Sequence, residues 1–260
     1  MTLVEAIILG LVQGATEFLP VSSSGHLVMA EELLGVESAG VVFEVVVHLA
    51  TLVSILVAYR TRVADLAVGA VRGDAAALRY LGLIALATVP AAVVGVLFED
   101  EVEALFENPV APGVALLVTG LVLWSSRAPL RRTEHVAPGW RAALLIGVAQ
   151  AFALVPGISR SGSTVVAALW LGLEAREAAA FSFLMAIPAI AGAAVLQIPD
   201  LTAGGGPSAP ALLVGGVVAA ATGVVAIRTL VAMLASKSFP GFAVYCWIAG
   251  SAFLAYLALR

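Results

Sequence analysis

Long apolar runs alternate with short charged segments along this chain, and that alternation predicts its elements before any single residue is considered. Runs at 40–59, 80–98, 109–126, 178–198, 208–227 and 239–259 each reach the roughly 18 to 20 residues that a helix needs to cross about 30 Å of hydrocarbon. Six spans are therefore expected. Two further apolar stretches, 1–34 and 142–173, are broken by Pro20 and by Pro156 with Gly157, so neither reads as one straight helix.

Composition then identifies the solvent. The chain is 62% hydrophobic and 12% charged, with a mean hydropathy of +1.08, whereas an ordinary soluble domain is about 25% charged. A single all-α integral membrane domain over residues 1–260 is expected, surrounded by membrane lipids. The first 20 residues do not read as a cleaved leader, because Glu5 stands where a basic segment belongs and no small-residue cleavage site follows. The one cysteine, Cys246, lies inside the last run and supports neither a disulfide nor a cysteine metal cluster. A net charge of −4 says little about partners. No nucleic acid is expected among them.

The positions of the arginines orient the spans. Arg60, Arg62, Arg72 and Arg79 outnumber Asp65 and Asp74, and Arg127, Arg131, Arg132 and Arg141 outnumber Glu134, so both segments read as cytoplasmic. The acidic segment 99–107 and the Gly/Pro-rich segment around Asp200 belong outside, and Arg228 and Lys237 fall inside. In this scheme 142–173 begins and ends inside, while 1–34 begins and ends outside. Each is expected to be a re-entrant helix pair, whose broken backbone is tolerated at membrane depth only beside protein or a water-filled cavity.

The two broken stretches also match each other. GLVQ at 10–13 pairs with GVAQ at 147–150, and SSSG at 22–25 with SRSG at 159–162, both 137 residues apart; FEVVVHLATL at 43–52 follows the first as FSFLMAIPAI at 181–190 follows the second. This predicts an internal repeat, with units of about 1–126 and 140–260. The first unit crosses three times, so the second is inverted, an arrangement in which paired broken helices meet near the midplane.

The stretch GLVQGATEFLPVSSSGHLVM places Glu17 and His26 where a lipid-facing helix should carry neither, which makes both functional candidates. Gln13 and Glu17 share a helix face at i, i+4. After Pro20, Ser22, Ser23 and Ser24 stand at the start of a new helix, where backbone N–H groups and the helix dipole favour an anion, and Gly25 and His26 follow in its first turn. In PGISRSGST, Gly157 makes the break and Ser159, Ser161, Gly162, Ser163 and Thr164 open the next helix. Arg160 adds a forked cation suited to phosphate. The plainer readings are that the serines only cap helices, that Arg160 only neutralises Glu17, and that His26 is a satisfied core histidine.

These two motifs, and the spans that follow each, resemble those of the undecaprenyl-diphosphatase family of the bacitracin-resistance type, and the similarity covers essentially the whole chain. The resemblance implies a multi-pass enzyme of the cell membrane that converts a polyprenyl diphosphate lipid to its monophosphate, releasing phosphate and recycling the carrier of envelope glycans, with an extracytoplasmic site. It implies Ser23 as nucleophile, with His26 on the same helix face handling a proton, Arg160 and both helix starts stabilising the transferring phosphoryl group, and Glu17 helping to hold a divalent cation, Mg²⁺ or Ca²⁺. In the family's first motif the position of Gln13 carries Glu or Gln; as an amide it is neither a base nor an anionic metal ligand. Two rivals stay open, a phosphohistidine at His26 and a metal-activated water.

Glu44 and His48, also i, i+4, are expected to pack behind the site as supporting groups, and His135 is expected to be exposed in a basic loop. A transporter of a polyprenyl phosphate or another anion stands as the alternative, because broken-helix repeats also build transporters. Whether two copies pair as a homodimer is left open.

Overall fold

A computed structural model of the chain describes residues 1–34, 40–132, 136–198 and 206–259. Glu134, His135 and Asp200 lie outside these described residues. Among them every regular element is helical: α1 (Leu3–Phe18), α2 (Ser23–Leu34), α3 (Val41–Ala58), α4 (Arg60–Val71), α5 (Ala75–Leu97), α6 (Glu99–Glu107), α7 (Val110–Ser125), α8 (Trp140–Phe152), α9 (Arg160–Trp170), α10 (Ala175–Leu196), α11 (Ala209–Ala235) and α12 (Phe242–Leu259). Short 3₁₀ turns, Pro129–Arg131 and Phe239–Gly241, flank α7 and α12.

Six of these helices are long and apolar enough to cross a membrane, and they coincide with the six runs read from the sequence. Their bounds differ for local reasons. The carboxylate of Asp74 accepts from the N–H of Ala77 at 3.1 Å, so α5 starts at that cap, five residues before the unbroken apolar run. Helix α11 continues through Arg228 to Ala235, because a long helix with an apolar stripe accommodates one charged residue on its exposed face. Two helices were not predicted: α4, which carries Arg60, Arg62 and Asp65, and the acidic α6. Neither offers an apolar run.

Large apolar side chains are exposed along the outward faces, among them Leu121, Val217 and Ile248, each at 60% or more. Single exposed leucines are ordinary, but continuous apolar faces on helix after helix suit lipid and not water. Inside, packing is close. Helix α1 lies on α11, with Gly10 over Gly215 and Gly14 over Ala219, where an added Cβ would overlap a backbone carbonyl. Helix α8 lies on α5 in the same manner, with Gly147 over Ala87. These seams bring the ends of α1 and α8, and so the chain breaks at 19–22 and 153–159, into the interior. Phe18 at the end of α1 meets Phe183 of α10 edge to face, with ring centroids 5.5 Å apart.

Candidate active site

Two short breaks build the site. After α1 ends at Phe18, Pro20 prevents its continuation, and Ser22 adopts φ 68°, a left-handed conformation that non-glycine residues rarely take. Three bonds hold it there: the Ser22 hydroxyl accepts from the N–H groups of Gly25 at 3.4 Å and Gly157 at 3.1 Å, and its carbonyl lies 2.8 Å from His26 Nδ1. Such strain persists where the surroundings over-determine it, commonly at functional sites.

In the second break Gly157 has φ 94°, and an added Cβ would run into the carbonyl of Pro112 and the side chain of Ala115. Only glycine fits, by conformation and by space. Thr119 of α7 pins the segment, its hydroxyl donating to the Gly157 carbonyl at 2.8 Å while accepting from the Ser159 N–H at 3.1 Å. Ser159 then caps α9 by accepting from the Gly162 N–H at 3.1 Å. The capping pattern Ser22 to Gly25 is thus repeated as Ser159 to Gly162, and both Ser22 with Ser24 and Ser159 with Ser161 stand 3.3 Å apart.

Glu17 is the hub where the two breaks meet. It is buried, with 8% exposed. One carboxylate oxygen accepts from Arg160 Nη2 at 2.5 Å; the other accepts from the Ser23 hydroxyl at 2.6 Å and the Gln13 amide at 3.0 Å, with His48 Nε2 of α3 at 3.9 Å. Buried charges are tolerated when paired and fully hydrogen-bonded, as this carboxylate is. The guanidinium is not: Arg160 Nη1 is buried with no partner. Gln13 Oε1 and both amide atoms of Gln150 are likewise buried and unpartnered.

A cavity of about 50 Å³ opens beside this cluster, lined by Thr16, Glu17, Ser22, Ser23, Ser24, Ala153, Ile158, Ser159 and Arg160. Of the residues singled out in the sequence, it gathers Glu17, Ser22, Ser23, Ser24, Ser159 and Arg160. The others stand around it. Gly25 and Gly157 let the two backbones approach, since a Cβ on Gly25 would sit 3.1 Å from the Gly157 Cα. Ser161 donates to the Leu19 carbonyl at 3.3 Å, and Thr164 is tied to the Arg160 carbonyl at 2.8 Å and to Ser182 at 2.6 Å, so both secure α9. Gly162 is the capped residue of α9, and Ser163 lies half-buried in its first turn.

One expected contact is arranged differently. Ser23 and His26 share α2, but the Ser23 hydroxyl donates to Glu17, while the two nitrogens of His26 face the Ser22 carbonyl and, at 2.7 Å, the hydroxyl of Tyr245 on α12. Glu17, six residues before Ser23, is the nearer proton acceptor. Of the supporting groups, His48 faces Glu17, and its Nδ1 lies 2.8 Å from the backbone carbonyl of Glu44. Sequence reading missed Tyr245 and Thr119. Each is a polar group in an apolar run with no motif around it, and the only signal available was that a hydroxyl in such a run needs a partner.

The donor set bears on the divalent cation. Among the described residues no group of three or more His, Cys, Asp or Glu side chains is placed to hold a metal. Glu17 is the one carboxylate lining the cavity, and Gln13 Oε1 is the adjacent unpaired oxygen. Both Glu17 oxygens are already hydrogen-bonded and Gln13 is not among the lining residues, so a divalent cation would have to displace some of these bonds and take most of its ligands from phosphate and water, as Mg²⁺ commonly does.

Fold and site together define a multi-helix membrane protein with a buried, strained polar centre shared by two helix starts. The family is shown by comparison: residues 6–252 match the family model described as bacitracin resistance protein BacA. The chain belongs to that family. It is 39% identical to an undecaprenyl-diphosphatase of Desulfatibacillum aliphaticivorans, covering 96% of this chain and 97% of that one. It is 41% identical to one of Syntrophotalea carbinolica, over 98% and 99% of the two chains, and 38% identical to one of Methanobrevibacter smithii, over 96% of each.

Proposed function

We propose that this chain is a membrane phosphatase that cleaves undecaprenyl diphosphate, or a closely related polyprenyl diphosphate, to the monophosphate and inorganic phosphate. One observation carries the reading. A buried guanidinium presents an unpartnered N–H group beside a cavity lined by Ser23, whose hydroxyl already donates to a carboxylate. An unpaired buried charged donor costs several kcal/mol, and an anion supplied by substrate removes that cost. Full-length similarity to enzymes named undecaprenyl-diphosphatases supports a lipid diphosphate as that anion.

The chemistry follows from the hydrogen bonds. In the first step Glu17 takes the proton of Ser23 while the hydroxyl oxygen bonds to the terminal phosphorus. The anhydride P–O bond breaks, and its electron pair leaves with the polyprenyl phosphate. In the second, the oxygen of a water bonds to the phosphoserine phosphorus as its proton passes to His26, the P–Oγ bond breaks, inorganic phosphate leaves, and Ser23 recovers its proton from Glu17. Arg160 and the N–H groups of the α2 and α9 starts bear the charge of the transferring group, the dominant contribution in phosphoryl transfer. Glu17 and Gln13 Oε1 would hold a divalent cation together with the diphosphate oxygens, and its chemistry is to neutralise their charge.

The finer architecture belongs to the same proposal. The α1–α2 and α8–α9 pairs are re-entrant halves of an inverted repeat, a reading supported by the swapped seams, α1 on α11 and α8 on α5, and by the repeated serine caps. The protein resides in the plasma membrane with its site facing the extracytoplasmic side, the orientation of the first hairpin that follows from taking the arginine-rich segments as cytoplasmic.

Phosphate release from a C15 or C55 diphosphate by detergent-purified protein tests the proposal. Wild type should release one phosphate per lipid, and Ser23→Ala and Arg160→Ala should lose at least about a hundredfold in rate. No release by wild type, with uptake of a polyprenyl phosphate into liposomes, would establish the transporter instead.

A further inference from the structure

We infer that Tyr245 is a positioning residue for His26, holding in place the lone pair that the Ser22 carbonyl leaves on Nε2. The geometry constrains both ring atoms. The Ser22 carbonyl, 2.8 Å from Nδ1, can only accept, so Nδ1 carries the hydrogen. The lone pair of the neutral ring is therefore on Nε2, and the Tyr245 hydroxyl 2.7 Å away donates to it. The rings are also nearly parallel, 13° between planes with centroids 5.7 Å apart, so the hydroxyl lies close to the plane in which the imidazole lone pair points.

The source of this hydroxyl is what makes the pairing informative. Tyr245 comes from α12, 219 residues along the chain, and its neighbour Cys246 approaches the Pro20 carbonyl at 3.7 Å. The last span therefore grips both sides of the strained Ser22. Tyr245 is 46% exposed, and neither it nor His26 is among the residues lining the cavity around Ser23, Glu17 and Arg160. Glu17 is the acceptor bonded to the serine hydroxyl, and the Nε2 lone pair, held by Tyr245 until the water of the second step takes the place of that hydroxyl, is left for the water's proton.

The inference rests on the phosphatase reading for its catalytic consequence, but the pairing itself has an independent readout. ¹⁵N-histidine spectra of the detergent-solubilised full chain are assigned for His26 by the signal lost in His26→Gln, the chain holding three histidines. Wild type should show a protonated Nδ1 and an unprotonated Nε2, and Tyr245→Phe, which keeps the ring, should move the Nε2 resonance downfield toward that of an unbonded nitrogen. With a C15 diphosphate, Tyr245→Phe should lower kcat on the order of tenfold while KM stays within about twofold, as loss of an orienting partner does. A protonated Nε2 in wild type, or a Phe variant with unshifted Nε2 and wild-type kcat, would overturn the assignment. Absence of phosphate release by wild type would instead overturn the phosphatase reading, and the spectra would still decide the pairing.

Discussion

Arg160 and Glu17, 143 residues apart in the chain, form a buried ion pair that closes the two chain breaks onto each other. Removing one partner of such a pair costs about 3 to 5 kcal/mol, because the other charge is left buried and alone. Arg160→Ala and Glu17→Gln should each lower the thermal unfolding temperature in detergent. The double variant Glu17→Gln/Arg160→Met, which leaves no unpaired charge, should recover most of that loss while remaining inactive. Recovery of stability without activity separates the structural role of the pair from its chemical one; a double variant that releases phosphate would deny the chemical role.

Ser22 is held at φ 68° by bonds that its own hydroxyl accepts. Ser22→Ala and Ser22→Gly both remove the hydroxyl, but only glycine relieves the left-handed strain, worth about 1 to 2 kcal/mol. Thermal melts should therefore rank wild type above Ser22→Gly, and Ser22→Gly above Ser22→Ala. The reverse order for the two variants would mean that the strain is not borne at this residue.

Two glycines at positive φ give an internal control. Gly157 at φ 94° faces Pro112 and Ala115, whereas Gly73 at φ 73° has open space around it. Gly157→Ala should abolish phosphate release and sharply lower the melting temperature. Gly73→Ala should cost only about 1 kcal/mol and leave the rate unchanged. Equal effects would show that crowding at the second break contributes nothing.

Gln13 tests the cation. Its amide nitrogen donates to Glu17, and its oxygen has no partner. Gln13→Glu replaces that donor with a second carboxylate beside the first, an arrangement that a divalent cation relieves. The Mg²⁺ or Ca²⁺ concentration giving half-maximal phosphate release should fall several-fold, and residual activity in EDTA should drop. An unchanged cation dependence would place the metal away from these two residues.

The spans were legible in the sequence because hydrocarbon demands long apolar runs, and the breaks because Pro20 and Pro156-Gly157 cannot continue a helix. Glu17, Ser23 and Arg160 were legible as residues out of place at membrane depth. Spacing within a motif did not reveal which of them bond. The i, i+3 relation of Ser23 and His26 suggested a shared proton, but the turn at Ser22 aims the hydroxyl back at Glu17 and leaves the imidazole to Tyr245. Tyr245 and Thr119 reach the site from α12 and α7, and no local pattern announces a contact made by tertiary packing alone; His48 of α3 was singled out only because its i, i+4 spacing to Glu44 is itself a local pattern. Helices α4 and α6 escaped for the opposite reason: they are polar enough to read as loops.

The central claim is that the Ser23 hydroxyl, primed by Glu17, attacks the terminal phosphorus. Acid quench of an early turnover with a terminally ³²P-labelled polyprenyl diphosphate, followed by peptide mapping, tests it most directly. An acid-stable, base-labile label on the peptide containing Ser23, absent in Ser23→Ala, is the predicted result. An acid-labile label residing on His26, still formed by Ser23→Ala, would contradict it.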